Sequence, residues 1–231
     1  SRGYRVDSGM RFSQMGRMLQ EMAEPSFLTD IARFFDNLGP SDRAPACILL
    51  GGGGNDVVYP SSEARKTPLY RMLSGGGEIP LDEAEMVKFI DGELNDHLST
   101  VVEKLQQMTD IPILIHAYDH PIPDNRSYWL AGPWLHPIFE ARQMHDVTTN
   151  AKAMAALIDR LNNVAARVAS ANALRTRHVK LTSLLAADPR YGQDYTSLWA
   201  NELHPTDDGY GILADEFVKT LQAMGIGPKT S

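Results

Sequence analysis

The feature that most constrains this chain is a pair of short, unbroken apolar runs, Ala46-Cys47-Ile48-Leu49-Leu50 and Ile113-Leu114-Ile115, set among longer amphipathic stretches. A run that is apolar at every position has no face to give to water, so it suits a strand covered by helices on both sides. The first run lies between Pro45 and the glycines Gly51 to Gly54, and it reads as a central parallel strand. Ahead of it, Phe12, Met15, Met18, Leu19 and Met22, then Phe27, Leu28, Ile31, Phe34 and Phe35, recur at spacings of three and four. That period predicts two helices divided at Pro25, the second stopped by Asn37-Leu38-Gly39-Pro40.

Between the two runs, Leu81 to Met108 carries the strongest helical stripe, through Val87, Ile90, Leu94, Leu98, Val101, Leu105 and Met108. Asp82, Glu83 and Glu85 sit at its positive end. A further helix is predicted over Thr149 to Ser170, a less apolar strand over His178-Val179-Lys180-Leu181, and a closing helix from Gly209 to Met224. Two stretches lack any period. Tyr59 to Pro80 reads as a surface excursion, and residues 118–147, with four prolines and both Trp129 and Trp134, as one long ordered loop. The alternation of strand and helix predicts a single α/β domain over residues 1–231: a three-layer sandwich whose parallel sheet is flanked by helices.

Composition narrows the function classes. The 231 residues carry a net charge of −7 with no clustered Lys or Arg, which argues against phosphate-backbone binding and hence against a nucleic-acid partner. No apolar run reaches the roughly 18 residues of a membrane-spanning helix. Cys47, the only cysteine, can form neither an intramolecular disulfide nor a cysteine-based zinc site, and reads as a small buried hydrophobe.

In a doubly wound sheet, functional loops gather at the carboxyl ends of the strands. Two loops stand out by that rule. Gly51-Gly52-Gly53-Gly54-Asn55-Asp56 follows the first strand directly, and Asn55 would lift an amide donor above the sheet edge, where it can stabilise an oxyanion. The glycines equally suit a plain turn, and with no Lys-Ser or Lys-Thr pair after them they do not read as a phosphate loop. The second loop, Trp199 to Tyr210, holds His204 and Pro205 just before the last helix, where an imidazole can act as a general base near neutral pH.

Taken together, Gly54-Asn55-Asp56 after a buried strand resembles block III of the SGNH/GDSL hydrolases, and Leu203-His204-Pro205 before a terminal helix resembles their block V. Ile111 through Asp119 and Trp199 through Gly209 are similar to a bacterial esterase- or lipase-like subgroup of that family, and the resemblance runs from about Asp7 onward. It implies a flavodoxin-like sheet and hydrolysis of a carboxylic ester through an acyl-enzyme, with no cofactor. Under it, His204 is the base, Asn55 the block III oxyanion donor, and Asp7 to Met15 block II, so that Gly9 supplies an oxyanion-hole amide.

Two departures from the family pattern matter. Block I, a hydrophobic strand ending in Gly-Asp-Ser, is not visible. Asp7-Ser8 echoes its dipeptide and makes Ser8 one candidate nucleophile, while the polar stretch Ser1 to Val6 points instead to a nucleophile and strand in an upstream segment or a second chain that completes the sheet. The acid usually found three residues before the histidine is replaced by Asn201, whose amide can accept from the imidazole and fix its tautomer but cannot stabilise imidazolium by charge. Either the histidine works without a conventional acid, or Glu202 or Asp194 substitutes. His116 and Asp119 read as pocket lining or as a hydrogen-bonded loop pair. His120, His136 and His145 lack a tight ligand spacing, and Trp129 and Trp134 read as a lid or as loop packing. Two rivals stay open: a non-catalytic relative that binds a ligand, and an interaction module using residues 118–147.

Overall fold

Three short strands, β1 (Ile48–Leu50), β2 (Ile113–His116) and β3 (Thr176–Val179), pair in parallel in the order β1-β2-β3. Ile48 lies opposite Ile113, and Ile113 opposite Thr176. This is a computed structural model, and it describes residues 12, 16–37, 45–60, 62–127, 132–190 and 194–227. Strand alternation sorts the side chains onto two faces. Ile113 and Ile115 enter the larger core with Leu98, Val101, Leu157 and Leu161, supplied by α6 (Asn95–Met108) and α8 (Val147–Ala171). Leu114 and Val179 point the other way, against Leu213, Phe217 and Leu221 of α9 (Asp207–Ala223). Helices therefore cover both faces, giving the α/β sandwich that the alternation of elements predicts.

The first run is not a central strand among the described residues. β2 occupies the middle of the sheet and β1 one edge. Leu49 is 44% exposed, because α9 packs on β3 and Leu114 and leaves the β1 end of that face uncovered. Ile48 donates to the Pro112 carbonyl at 2.8 Å, so by alternation the N–H and C=O of Leu49 face away from β2.

At the amino end, α1 (Leu19–Met22) and α2 (Pro25–Asp36) divide at Pro25 as predicted, because a proline is tolerated in the first turn of a helix. The same rule corrects two loop expectations. Pro68 opens α4 (Pro68–Met72) inside the supposed surface excursion, and Leu69 and Met72 are fully buried. Pro137 sits in the first turn of α7 (His136–Ala141), so residues 118–147 are not one loop, and Ile138 and Phe139 fill the core beneath them.

The long helix departs from its stripe at the amino end. α5 (Glu83–Met86), capped by the Asp82 side chain, runs into a π-helical segment (Val87–Leu94) before α6. A π turn adds a residue per turn and slips the helical phase. Val87 is consequently 47% exposed, with Met86 and Phe89 buried in its place, while Ile90, Leu94, Leu98, Val101 and Leu105 take the core positions predicted for them. The third strand starts two residues earlier than predicted, at Thr176, and ends at Val179, and α9 starts at Asp207 rather than Gly209. No helix among the described residues is long and apolar enough to cross a membrane.

Candidate active site

The loop before α9 is wound tightly around Asn201. Ala200 N–H donates to the His204 carbonyl at 2.9 Å, and Trp199 bridges to Pro205 across the turn. Thr206 caps α9 by accepting from Gly209 N–H at 3.2 Å. Gly209 lies so close to the Leu198 carbonyl that a Cβ there would stand 2.4 Å from its oxygen, which explains the glycine.

Asn201 is 2% exposed, and its Oδ1 accepts from the amides of Leu203 and His204, both at 2.9 Å. Two N–H donors can only be met by the amide oxygen, so the atom 3.0 Å from His204 Nδ1 is an acceptor. The hydrogen of the neutral imidazole is thereby fixed on Nδ1, and Nε2 keeps its lone pair. The His204 side chain reaches solvent, yet partial burial holds its pKa below the usual histidine value. The Trp134 indole packs edge-to-face on the imidazole, ring centroids 5.4 Å apart and planes at 78°.

Neither proposed substitute acid touches this histidine. Glu202 is fully buried and accepts four backbone amides of another segment, and Asp194 caps its own short turn through Thr196. Asn201 itself is the partner of His204.

The glycine loop after β1 enters α3 (Gly54–Val58) with Gly53 at φ +102°, a conformation that side chains disfavour. Gly51 lies against His116, where a Cβ would fall 1.9 Å from Nε2. Asn55 is exposed, and its Nδ2 donates to the Arg17 carbonyl at 3.1 Å, which leaves the second N–H of the amide directed elsewhere. Asp56 is buried. Its two oxygens accept from Leu19 N–H at 2.9 Å and Gln20 N–H at 3.2 Å, binding the start of α1 to the glycine loop. Burial raises the Asp56 pKa against the lowering effect of those amides.

The carboxyl rim of the sheet ties these loops together. Asn162 of α8 clasps Tyr118 through both backbone groups and also reaches Thr182 at 2.9 Å. Asp119 is buried and accepts from Ser183 and Leu185, joining the segments after β2 and β3. His116 and Asp119 do not bond to each other: His116 donates to its neighbour's carbonyl and lines a small cavity with Tyr118 and Asn162, while Asp119 clamps two loops. His120 pairs with Asp159 and His145 with Glu140, each at 2.8 Å, and among the described residues no three His, Cys, Asp or Glu side chains gather around a metal position.

Asn55, in the first turn of α3, and His204, on the loop before α9, thus both stand exposed on segments tied to this rim, and no bond joins them among the described residues. Ser8, Gly9 and Trp129 lie outside the described residues. Sequence reasoning missed the clamps made by Asp56, Asp119 and Glu202, since their partners are distant backbone amides, which carry no side-chain signature. The chain matches no family model and no curated protein. What the fold defines is an α/β sandwich with its candidate chemistry at the carboxyl ends of parallel strands.

Proposed function

We propose that this chain is a serine hydrolase of SGNH type that cleaves a carboxylic ester through an acyl-enzyme. The observation that carries the reading is the Asn201 Oδ1 contact to His204 Nδ1, which fixes the tautomer a general base needs and leaves the Nε2 lone pair of this exposed residue to accept a proton. A serine hydroxyl attacks the ester carbonyl, and Nε2 takes its proton. The tetrahedral oxyanion is met by Asn55 and the Gly9 amide, the alcohol leaves with the proton from Nε2, and water repeats the sequence on the acyl-enzyme. Asn201 orients the imidazole without lending it charge, so this base works with less electrostatic help than a His-Asp pair supplies.

Completion of the sheet belongs to the same proposal. The outward backbone groups and half-exposed side chain of Leu49 suit a strand laid along β1 by an upstream segment or a second chain, which is also a place for the nucleophile if Ser8 is not it.

The neutral Asn201 favours a second reading, a ligand-binding relative without turnover. Treatment of the intact native protein with a fluorophosphonate probe separates the two. Covalent labelling of a serine, lost on His204→Ala, supports the hydrolase; absence of labelling favours the binder.

A further inference from the structure

The Glu202 carboxylate has no exposed surface, lies between Asn201 and His204 in sequence, and plays no part in the proton transfer derived above. Its oxygens are fully used. Oε2 accepts from the amides of Trp134 at 2.7 Å and Leu135 at 2.8 Å, and Oε1 from those of His136 at 2.9 Å and Asn125 at 3.1 Å. A carboxylate has about four acceptor positions. All four donors come from the segment between β2 and α8, and three of them are consecutive. One of the three, Trp134, is the residue whose indole rests on the His204 ring. Behind that indole lies Gly132 at φ +84°, where a Cβ would stand 2.6 Å from the ring. The indole is therefore held between the Gly132 backbone and the imidazole, with its own amide pinned by Glu202.

We propose that Glu202 is a positioning residue for His204: by holding the amides of Trp134 to His136 it fixes the indole against the imidazole and so sets the ring's orientation. The catalytic consequence rests on the hydrolase reading above, whereas the geometric consequence does not. A neutral isostere at 202 turns a donor toward two of the four amides and releases the turn.

The test uses Glu202→Gln, Trp134→Ala and the double variant in the full chain, read by two signals. The first is the ring-current displacement of the His204 imidazole proton resonances in NMR spectra, present in the wild type and removed by Trp134→Ala. The proposal expects that displacement to be lost in Glu202→Gln, with other core resonances unmoved. The second is kcat for ester hydrolysis, expected to fall by about 10²-fold for Glu202→Gln, with KM changed much less, and to fall no further in the double variant than in the worse single variant. If Glu202→Gln does not fold, Glu202→Asp takes its place, with the same expectations at smaller amplitude. An undisturbed His204 resonance, or losses of kcat that simply add, would overturn the proposal. A protein without esterase activity would sink the hydrolase reading, and the NMR signal would still decide the role of Glu202.

Discussion

A single amide oxygen organises the loop on which the catalytic reading depends. Asn201 Oδ1 receives two backbone donors and the Nδ1 hydrogen of His204, so one buried side chain sets both the turn and the tautomer. Partial desolvation keeps the imidazole pKa below its usual value, and a base must be unprotonated to act. The acid limb of kcat/KM for ester hydrolysis should therefore lie below pH 6.5. Asn201→Asp adds a negative charge beside Nδ1, which stabilises the imidazolium and raises its pKa. We expect that variant to move the acid limb to higher pH and, at about 1.4 kcal/mol per pK unit, to raise kcat about tenfold, as measured by a pH–rate profile. A limb that stays in place would mean that residue 201 does not address the imidazole. The places of His204 before the last helix and of Asn55 after the first strand were legible in the sequence, because a histidine before a terminal helix and an asparagine after a glycine-rich strand end carry local signatures. Asp56 and Glu202 were not, because each binds backbone amides brought near only by the fold.

Among the elements, the strongest helical pattern in the chain placed Ile90, Leu94, Leu98, Val101 and Leu105 in the core as predicted and failed only at its first residue, Val87. Periodicity counts residues at 3.6 per turn, and it cannot register a π segment that slips the stripe from Val87 to Phe89. The two prolines at helix starts escaped for a related reason: Pro68 and Pro137 break a pattern when read as interior residues but open a helix when they stand in its first turn. The π segment is tied to α8 by charge. Asp91 accepts from Arg160 Nη2 at 2.5 Å and from Arg167 at 3.2 Å, while Arg160 also reaches Glu83 at 2.7 Å. Burial pushes the Asp91 pKa up, but the two arginines outweigh it and hold the carboxyl below its usual value. A carboxyl depressed in the folded state contributes stability above its unfolded pKa and loses it as pH falls through the folded one. Asp91→Asn should thus cost about 1 kcal/mol at neutral pH, and the difference from wild type should fade below about pH 3.8 in urea unfolding curves. A cost that does not change with pH would mean that packing, not the ion pairs, fixes this junction.

For the molecule as a whole, the sandwich and its parallel order were legible because they follow from alternation of elements, whereas the sheet edge was not. The run ending at Leu50 is as apolar as a central strand, yet β1 borders the described sheet with Leu49 open to solvent. The mismatch between composition and burial is the physical ground for expecting a further strand beside it. The architecture brings loops far apart in sequence to one rim, where Tyr118, Asn162, Asp119 and Glu202 bind them together. The account's central claim is that Asn55, in the first turn of α3, and His204, on the loop before α9, act on one reacting carbonyl. A double-mutant cycle in ester hydrolysis addresses it most directly, using Asn55→Ala, His204→Ala and the pair. Acting on one transition state, each single change should lower kcat by about 10²-fold or more, and the double variant should be worse than either single variant but lose less than the product of the two losses. Losses that multiply independently, or a wild-type rate that neither change affects, would contradict it.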